Sequence, residues 1–367
     1  MKKRIGITYD LKEDWPVSSD EPRDANAEFD SDQTLADLCQ AFESRGHAVE
    51  RIGNVRNLLR QIEHLDVDIV FNICEGRFGR NRESQVPLLL EMYGIPFVGS
   101  DALSLGLTLD KAVAKKCFIA EGIPTPRFFL AHRGHDLKKS DLLEFPLIVK
   151  ACWEGSSKSL SQNSRVTDLP GLKRQIELIH HAYQQPAIVE EFIRGTEFTV
   201  AVMGDENPQA LPVVQVKIDG VLNLGDDFYT FSRLLTPDRV EYVCPAPIPE
   251  DLENRLKQIA AKAYQCVGCR DFGRVDFRVD EEGRPYVLEI NPLPCLARND
   301  VFYSTAKALG MSYEDMINRI LEFGWERYNH SPIERHTPNR YKKGMTPKEA
   351  ARIDNRMLMS TSSFKGG

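Results

Sequence analysis

The stretch that most constrains this chain is residues 273–291, which read GRVDFRVDEEGRPYVLEIN. Alternating apolar and polar residues predict two antiparallel strands joined by a turn at residues 280–283. Folding about that turn brings Asp276 opposite Glu289, with Asn291 further along the same face. Two carboxylates that face each other across a strand pair destabilise a sheet, so we expect a cation between them. This all-oxygen set suits Mg²⁺, and the alternative is a polar hairpin on the surface.

The same alternation sorts the other side chains of the hairpin. On the first strand it predicts one apolar face, made of Val275, Phe277 and Val279. On the second strand it places Val287 on the face of Glu289, opposite to Leu288. A strictly regular ladder is the assumption behind both assignments.

The composition is ordinary for a globular protein, with 367 residues, 42% hydrophobic and 28% charged. A chain of this length predicts more than one domain. The net charge of −7 argues against a nucleic-acid partner. No apolar run is long enough for a membrane span, so no membrane partner is expected. Eight cysteines without a disulfide-framework spacing predict a reducing, cytoplasmic location.

Strand and helix patterns alternate near the start of the chain, which predicts a parallel sheet covered by helices. The predicted strands are residues 3–8, 48–52, 68–72 and 95–98, and the predicted helices are residues 34–45, 55–65 and 84–92. The intervening residues 9–32 are polar and acidic. A connection of that length usually carries a function or is partly mobile.

A second unit follows, in which a strand at residues 146–151 carries Lys150 near its end. The next residues form a small-residue loop, 154–159, whose Gly155, Ser156 and Ser157 can offer N–H and hydroxyl donors to a phosphate. A plain solvent-exposed turn is the alternative for this loop. Further predicted strands are residues 128–131, 187–193, 197–203 and 209–218. Further predicted helices are residues 109–122, 169–182, 250–267 and 313–323, and a capping box at residues 346–349 predicts one more in the basic tail.

From about residue 68 to residue 323, the order of motifs resembles the D-alanine–D-alanine ligase branch of the ATP-grasp superfamily. The motifs are FN-x-x-EG at 71–76, GIP-x-VGS at 94–100, LDK at 109–111, FP-x-IVK at 145–150, GSS at 155–157, EEFIRGTEFTV at 190–200 and GRVDF…VLEIN at 273–291. The resemblance implies an α/β (α+β) ATP-grasp fold, in which a central and a C-terminal lobe clamp ATP. It implies an N-terminal parallel α/β domain at 1–108, a central subdomain with a phosphate lid at 109–194, a C-terminal subdomain at 195–330, and a basic tail at 331–367.

The resemblance also implies roles for matching residues. The residues expected to bind ATP are Lys111, Lys150, Ser156, Ser157, Glu190 and Glu197. Among them, Glu190 would meet the adenine and Glu197 the ribose. One or two Mg²⁺ ions, or Mn²⁺, would be held by Asp276, Glu289 and Asn291. Arg274, together with Lys111 and Lys150, would stabilise charge on the transferring phosphate.

The implied activity is that of an ATP-grasp ligase that forms carbon–nitrogen bonds. A carboxylate attacks the γ-phosphate, an acyl phosphate forms, and an amine then displaces phosphate. The expected partners are therefore a small carboxylate and a small amine, and a homodimer is expected from the resemblance.

Departures from the family pattern concentrate around the substrates. No counterpart of the early glutamate that holds the first D-alanine is found within residues 9–32. Lys158-Ser159 stands where an apolar residue and a glycine are usual, and Arg82 closes a stretch of reversed charge. An aspartate at position 300 would repel a carboxylate unless Arg298 offsets it. The candidate substrate residues are Glu75, Arg82, Cys295, Arg298 and Asp300.

These departures predict a working ligase whose substrates are not two D-alanines. An acceptor with extra positive charge, or without a free carboxylate, would suit Asp300 better. Three alternatives stay open on the sequence alone: a genuine D-alanine–D-alanine ligase, an ATP-binding regulator without ligase activity, and a kinase that stops at a phosphorylated product.

Overall fold

The computed structural model describes residues 2–134, 143–234, 236 and 239–330 of the chain. The predicted helix of the tail lies outside these residues. Within them, three sheets are packed with helices, in agreement with the expected α/β (α+β) class.

The first sheet is parallel, as predicted from the alternating strand and helix patterns. Its strands are β1 (Arg4–Tyr9), β2 (Ala48–Gly53), β3 (Ile69–Ile73) and β4 (Phe97–Val98), in the order β2-β1-β3-β4. Its helices are α1 (Asp32–Ser44), α2 (Val55–Gln61), α3 (Gln85–Met92) and α4 (Ala102–Leu109). Ser31 begins α1 by accepting a hydrogen bond from the N–H of Thr34. The acidic connection between β1 and α1 therefore ends at a defined cap.

The second sheet is antiparallel and small. Its strands are β5 (Phe128–Ala131), β6 (Leu147–Ala151), β7 (Arg165–Val166) and β8 (Ala187–Glu191), in the order β5-β8-β6-β7. Helix α5 (Lys111–Ala120) precedes it and helix α6 (Leu169–Ala182) packs on it. Along β6, Val149 is buried against α6 while Lys150 lines a cavity on the other face. This alternation is the period-2 pattern that the sequence shows.

The third sheet is antiparallel and carries the hairpin. Its strands are β9 (Gly195–Met203), β10 (Gln209–Ala210), β11 (Val214–Ile218), β12 (Val240–Val243), β13 (Phe272–Asp280) and β14 (Pro285–Asn291). Their order is β12-β11-β9-β13-β14, with β10 beside β9. The accompanying helices are α7 (Phe231–Leu234), α8 (Glu250–Cys266), α9 (Val301–Ala308) and α10 (Tyr313–His330).

Several elements differ from the sequence predictions. Helices α4 and α9 were not predicted, and each begins at an aspartate cap, Asp101 and Asp300. The single strand predicted at residues 209–218 is two strands, because Pro212 lies between them and has no N–H for a ladder. Helix α10 continues seven residues beyond the predicted end at residue 323. Gly324, which looks like a stop signal in the sequence, instead lies within the helix, where a side chain would collide with Val98 and Asp271.

The hairpin pairs Asp276 with Glu289, as predicted, but its ladder is not regular. The register shifts after Asp276, so that Phe277 pairs with Val287 and Leu288 is an extra residue in the second strand. Val287 is consequently buried in the core, on the side of Ile290. The prediction that Val287 shares the face of Glu289 is wrong, since a bulge shifts the alternation by one. Leu288 instead lines the cavity beside Glu289.

The first and third sheets share one core. Phe71 of β3 stacks on Phe272 of β13, with 5.9 Å between ring centroids, and Phe302 of α9 packs against Phe272 from another side. Asp271, just before β13, accepts hydrogen bonds from the N–H of Gly99 at 2.8 Å and from Arg327 of α10 at 2.9 Å. Among the described residues, no helix has the length and apolar character that crossing a membrane requires.

Candidate active site

A cavity of about 600 Å³ lies between the second and third sheets, a size typical of small-molecule sites. Its walls come from β6, β8, β9, β13 and β14, from the loop of residues 154–158, and from the acidic connection between β1 and α1. The last wall was not assigned to the site from the sequence. The predicted residues that line the cavity are Glu75, Lys111, Lys150, Ser156, Ser157, Glu190, Glu197, Arg274, Asp276, Glu289, Asn291, Cys295 and Asp300.

Glu190 lies between two lysines at one end of the cavity. Its carboxylate is 2.8 Å from Nζ of Lys150 and 3.0 Å from Nζ of Lys115. Burial raises the pKa of Glu190, but the charges of the two lysines hold it below its ordinary value. Burial lowers the pKa of Lys115 to about 8, although Glu190 opposes that shift. Lys115 was not predicted from the sequence, although its position four residues after Lys111 on one helix was a signal for it.

Lys111, the first residue of α5, contacts both the hairpin and the loop of residues 154–159. Its Nζ is 2.8 Å from Oε2 of Glu289 and also donates to the backbone carbonyl of Glu154. Asp110 fixes the start of α5 by accepting from the N–H groups of Ala112 and Val113. Burial raises the pKa of Glu289, but the charges of Lys111 and Lys150 lower it to about 2. Glu289 is therefore an anion at neutral pH.

Asp276 is held by Arg274 on its own strand. The Nε and one terminal nitrogen of Arg274 each donate to Asp276 at 2.9 Å, and Thr199 donates at 2.6 Å. Asn291 accepts from the N–H of Leu293 at 2.9 Å. The two facing carboxylates are thus balanced by Arg274 and Lys111. Two carboxylates and a carboxamide on one cavity wall form a donor set that fits Mg²⁺, with phosphate oxygens completing its coordination.

Glu197 lies near the start of β9 and is oriented by an arginine. Arg278 donates to Glu197 at 2.9 Å and to the carbonyls of Gly195 and Gly225, each also at 2.9 Å. Arg278 is itself buried. Burial raises the pKa of Glu197, against the charge of Arg278. One carboxylate is thereby fixed against the cavity wall.

The small-residue loop has a strained backbone. Ser156, Ser157 and Ser159 have φ angles of 46°, 57° and 69°, which are unusual for residues other than glycine. The N–H of Gly155 donates to Glu28 at 2.5 Å, and the N–H of Ser159 donates to Asp24 at 2.7 Å. Both acceptors belong to the acidic connection. Strained conformations persist only where their surroundings hold them, and here the acidic connection does so.

Arg82 and Lys158, two departures from the family pattern, meet at Glu28. Arg82 is 2.7 Å and Lys158 is 3.2 Å from the Glu28 carboxylate. Both cations also pair with Glu154, Arg82 at 3.4 Å. We call these four residues the Glu28 cluster. Glu28 was not predicted from the sequence, in which the charge reversal at Arg82 was the indirect signal for it.

The remaining substrate candidates divide into two groups. Asp300 lies 3.8 Å from Arg274 and caps α9 through the N–H of Val301 at 2.6 Å. Arg298 is outside the cavity lining, where it pairs with Asp37 at 3.2 Å and Glu314 at 2.5 Å. Arg82 is likewise absent from the lining. Neither arginine therefore faces a substrate in this arrangement.

Asp30 and Glu75 are two of the cavity carboxyls whose pKa values are raised. Burial, together with the nearby charge of Asp300, raises the pKa of Asp30 to about 7, although Lys12 opposes this. Burial and the carboxyl of Glu83 raise the pKa of Glu75 well above its ordinary value. Asp30 was missed, because only the length of the acidic connection indicated a function there.

Comparison with known proteins agrees with the family that the sequence motifs resemble. A family model described as "D-ala D-ala ligase C-terminus" matches residues 118–322, more than half of the chain. The chain belongs to the D-alanine–D-alanine ligase-like family of ATP-grasp ligases. This family forms carbon–nitrogen bonds and uses ATP and Mg²⁺. The predicted family, fold class and cofactors are therefore confirmed.

Two relatives and two solved structures illustrate the family. The D-alanine–D-alanine ligase of Pelotomaculum thermopropionicum is 33% identical, over 78% of this chain and 89% of its own. The uncharacterized protein y4sG of Sinorhizobium fredii is 36% identical, over 71% and 75%. The Bacillus anthracis D-alanine–D-alanine ligase complexed with ATP has a TM-score of 0.70 at 23% identity, covering 92% of this chain and 100% of its own. The VanG D-Ala:D-Ser ligase of Enterococcus faecalis has a TM-score of 0.68 at 22% identity, covering 88% and 100%.

Proposed function

We propose that this protein is an ATP- and Mg²⁺-dependent carboxylate–amine ligase that works through an acyl phosphate. The observation that carries the proposal is the meeting of Lys111, Lys150 and Arg274 with Asp276 and Glu289 in one cavity. Three cations and two metal-binding carboxylates are the charges that phosphoryl transfer to a carboxylate requires. The structure brings them together from three separate parts of the chain.

Each charged group has a defined task in the proposal. When bound, Mg²⁺ neutralises charge on the β- and γ-phosphates of ATP. Lys150 of β6 and Lys111 of α5 approach those phosphates, and Arg274 faces the oxygen that gains charge at the acyl carbon. Ser156 and Ser157 cover the phosphates and keep water from the mixed anhydride. Glu190 and Glu197 orient the adenosine part of the nucleotide.

We further propose that the acceptor amine is not a second D-alanine. Arg82 and Arg298, which would otherwise meet an acceptor carboxylate, form ion pairs inside the chain. Asp30 and Asp300 present carboxyl groups to the same cavity. Burial raises the pKa of both groups. A second cationic group on the acceptor would pair with their ionised forms, whereas a free carboxylate beside them would raise those pKa values further.

A genuine D-alanine–D-alanine ligase is the second candidate, because curated relatives of that name are 30–35% identical to the chain. It requires another cation to bind the acceptor carboxylate. Lys12 and Arg23 line the cavity and are exposed there. The two candidates therefore differ in which charges of the acidic connection meet the substrate.

The test is ADP release with ATP and Mg²⁺ across a matrix of carboxylic acids and amines, with mass spectrometry of each product. The matrix includes D-alanine and amines with a second positive charge, and the Asp276→Asn variant is the blank. We expect a product mass of acid plus amine minus water, fastest with a dicationic amine. A rate with D-alanine above that with every other amine would favour the second candidate.

Two other outcomes would overturn the ligase proposal itself. A phosphorylated acid that persists without any amine would identify a kinase. Nucleotide binding without ADP release from any acid would identify a regulator. A homodimer and a cytoplasmic location stay predictions, which light scattering and fractionation check.

A further inference from the structure

Two segments far apart in the sequence hold the small-residue loop, which we call the phosphate loop from here on. The loop, residues 154–159, lies against residues 24–28 of the acidic connection. Arg82 comes from the connection after β3 and also donates to the carbonyl of Trp153 at 2.8 Å, just before the loop. Three segments therefore converge where the loop begins.

The Glu28 cluster pairs opposite charges, and the buried carboxyls of Glu75 and Glu83 lie near it. It contains two carboxylates and two cations, so its formal charge is zero. The side chains of Glu28, Arg82 and Lys158 are 4%, 5% and 8% exposed. Removing one partner of such a buried set leaves an uncompensated charge, so the loss of any one of these side chains should destabilise the contact strongly.

The central carboxylate of the cluster, Glu28, is ionised at neutral pH. Burial raises the pKa of Glu28, but Arg82, Lys158 and the N–H of Gly155 lower it to about 2. Burial lowers the pKa of Lys158, but the charges of Glu28 and Glu154 hold it above its ordinary value. Because the pKa of Glu28 is lower in the folded protein than its ordinary value of 4.5, its contribution to the stability of the folded state is present above that pH. This contribution is lost as the pH falls towards 2.

A second attachment lies at the other end of the loop. Asp24 accepts from the N–H of Ser159 at 2.7 Å and from the hydroxyl of Tyr183 at 2.7 Å and 2.9 Å. Asp24 is buried. Both ends of the loop are thus fastened to the same short stretch of the acidic connection. That stretch continues directly into the cavity wall at Asn26, Ala27 and Asp30.

We propose that Arg82 and Lys158 are positioning residues that fasten the phosphate loop to the substrate-side wall, residues 24–31, through Glu28. Loop and wall then open and close as one unit. Filling the nucleotide side orders the substrate side, and by linkage the reverse also holds. The proposal deepens the proposed function, on which it rests for the identity of the ligands, while the fastening is a property of the free chain.

The test of the fastening needs no substrate. Hydrogen exchange of the free protein is compared between wild type, Lys158→Met, Glu28→Gln, the double variant and Lys158→Arg. Lys173→Met, an exposed position on α6, is the matched control. We expect exchange in peptides covering both 154–160 and 24–31 to rise about tenfold in Lys158→Met. The control and Lys158→Arg should resemble wild type, and the double variant should add little to either single change.

Thermal unfolding of each variant shows whether the chain stays folded, and Glu28→Gln provides the same test with a smaller change. Faster exchange in the loop alone, with residues 24–31 unchanged, would overturn the proposal. Equal exchange in all variants would also overturn it.

Nucleotide binding shows whether Glu28 holds the loop in place or instead occupies the position of an ATP phosphate. In calorimetry with Mg·ATP as the only ligand, we expect Glu28→Gln and Lys158→Met to bind about tenfold more weakly than wild type. Tighter binding by Glu28→Gln would show that Glu28 occupies the place of a phosphate, and would overturn the proposal. If wild type itself binds no Mg·ATP, the proposed function fails, whereas the exchange comparison still decides the fastening.

Discussion

At the scale of single residues, charge placement distinguishes groups that look alike in sequence. Lys115 and Lys116 are neighbours on α5, but Lys115 is 1% exposed at Glu190 while Lys116 is exposed. A helix turns about 100° per residue, so adjacent lysines face different surroundings. The family motifs at 109–111 and 145–150 predicted Lys111 and Lys150 as ATP-binding residues, whereas Lys115 lies outside every motif.

Lys115→Met should weaken Mg·ATP binding by about tenfold. Without Lys115, the carboxylate of Glu190 would be neutralised by Lys150 alone, which would leave less positive charge for the phosphates. Since the pKa of Lys115 is about 8, it is charged below that pH and neutral above it. Wild-type affinity should therefore fall as the pH rises through 8. Calorimetry from pH 6.5 to pH 9 checks this.

The matched control for Lys115 is Lys116→Met, which should bind Mg·ATP as wild type does at every pH. The Lys115→Met profile should be flat around pH 8. A fall in affinity that persists in Lys115→Met would contradict the assignment, because another group would then be titrating.

At the scale of elements, the β13–β14 hairpin was predicted in position and in the Asp276–Glu289 pair, but not in its bulge. The extra residue, Leu288, lets Val287 and Ile290 both reach the core while Glu289 faces the cavity. Period-2 reasoning assumes a regular ladder, and nothing local in RPYVLEIN marks the irregular residue. The element follows from the pattern, and the bulge follows from packing on both faces.

Deleting Leu288 should therefore make the ladder regular without moving Glu289. We expect the variant to fold, with a melting temperature within about 5 °C of wild type. Mg·ATP binding should be weaker, because an apolar side chain is lost from the cavity wall. Thermal unfolding and calorimetry measure the two effects.

The control for this deletion is Leu288→Ala, which removes the side chain but keeps the bulge. Similar binding by both variants would assign the effect to the side chain. An unfolded deletion variant beside a stable Leu288→Ala would instead show that the bulge itself is needed for the fold.

At the scale of the whole molecule, a buried ion pair joins parts that are distant in sequence. Asp271 is 0% exposed and joins Arg327 of α10 to Gly99 beyond β4. Arg327 also donates to the carbonyl of Phe97 at 2.8 Å. The division of the chain at residues 108, 194 and 330 stays a prediction, but the first and third sheets share a core across it.

Asp271→Asn should lower the free energy of unfolding by about 3–5 kcal/mol, because Arg327 would lose its buried counter-charge. Urea unfolding followed by tryptophan fluorescence measures this. The control is Arg319→Met, since Arg319 pairs with Glu322 at 3.2 Å on the surface and surface pairs contribute about 0–1 kcal/mol. Equal small effects would contradict a central role for Asp271.

The sequence by itself determined the family and most of the elements, and it predicted nucleotide and metal-site residues within motifs, which the structure brings into one cavity. Those properties follow from local patterns, in which neighbouring residues carry the signal. Only the tertiary structure decided that Glu28 and Asp30 reach the cavity, that Arg82 and Arg298 are engaged within the chain, and that Lys115 shares Glu190 with Lys150. Each of these depends on which distant charge a side chain meets after folding. Coulomb energy depends on distance in space, which the linear order of residues does not contain.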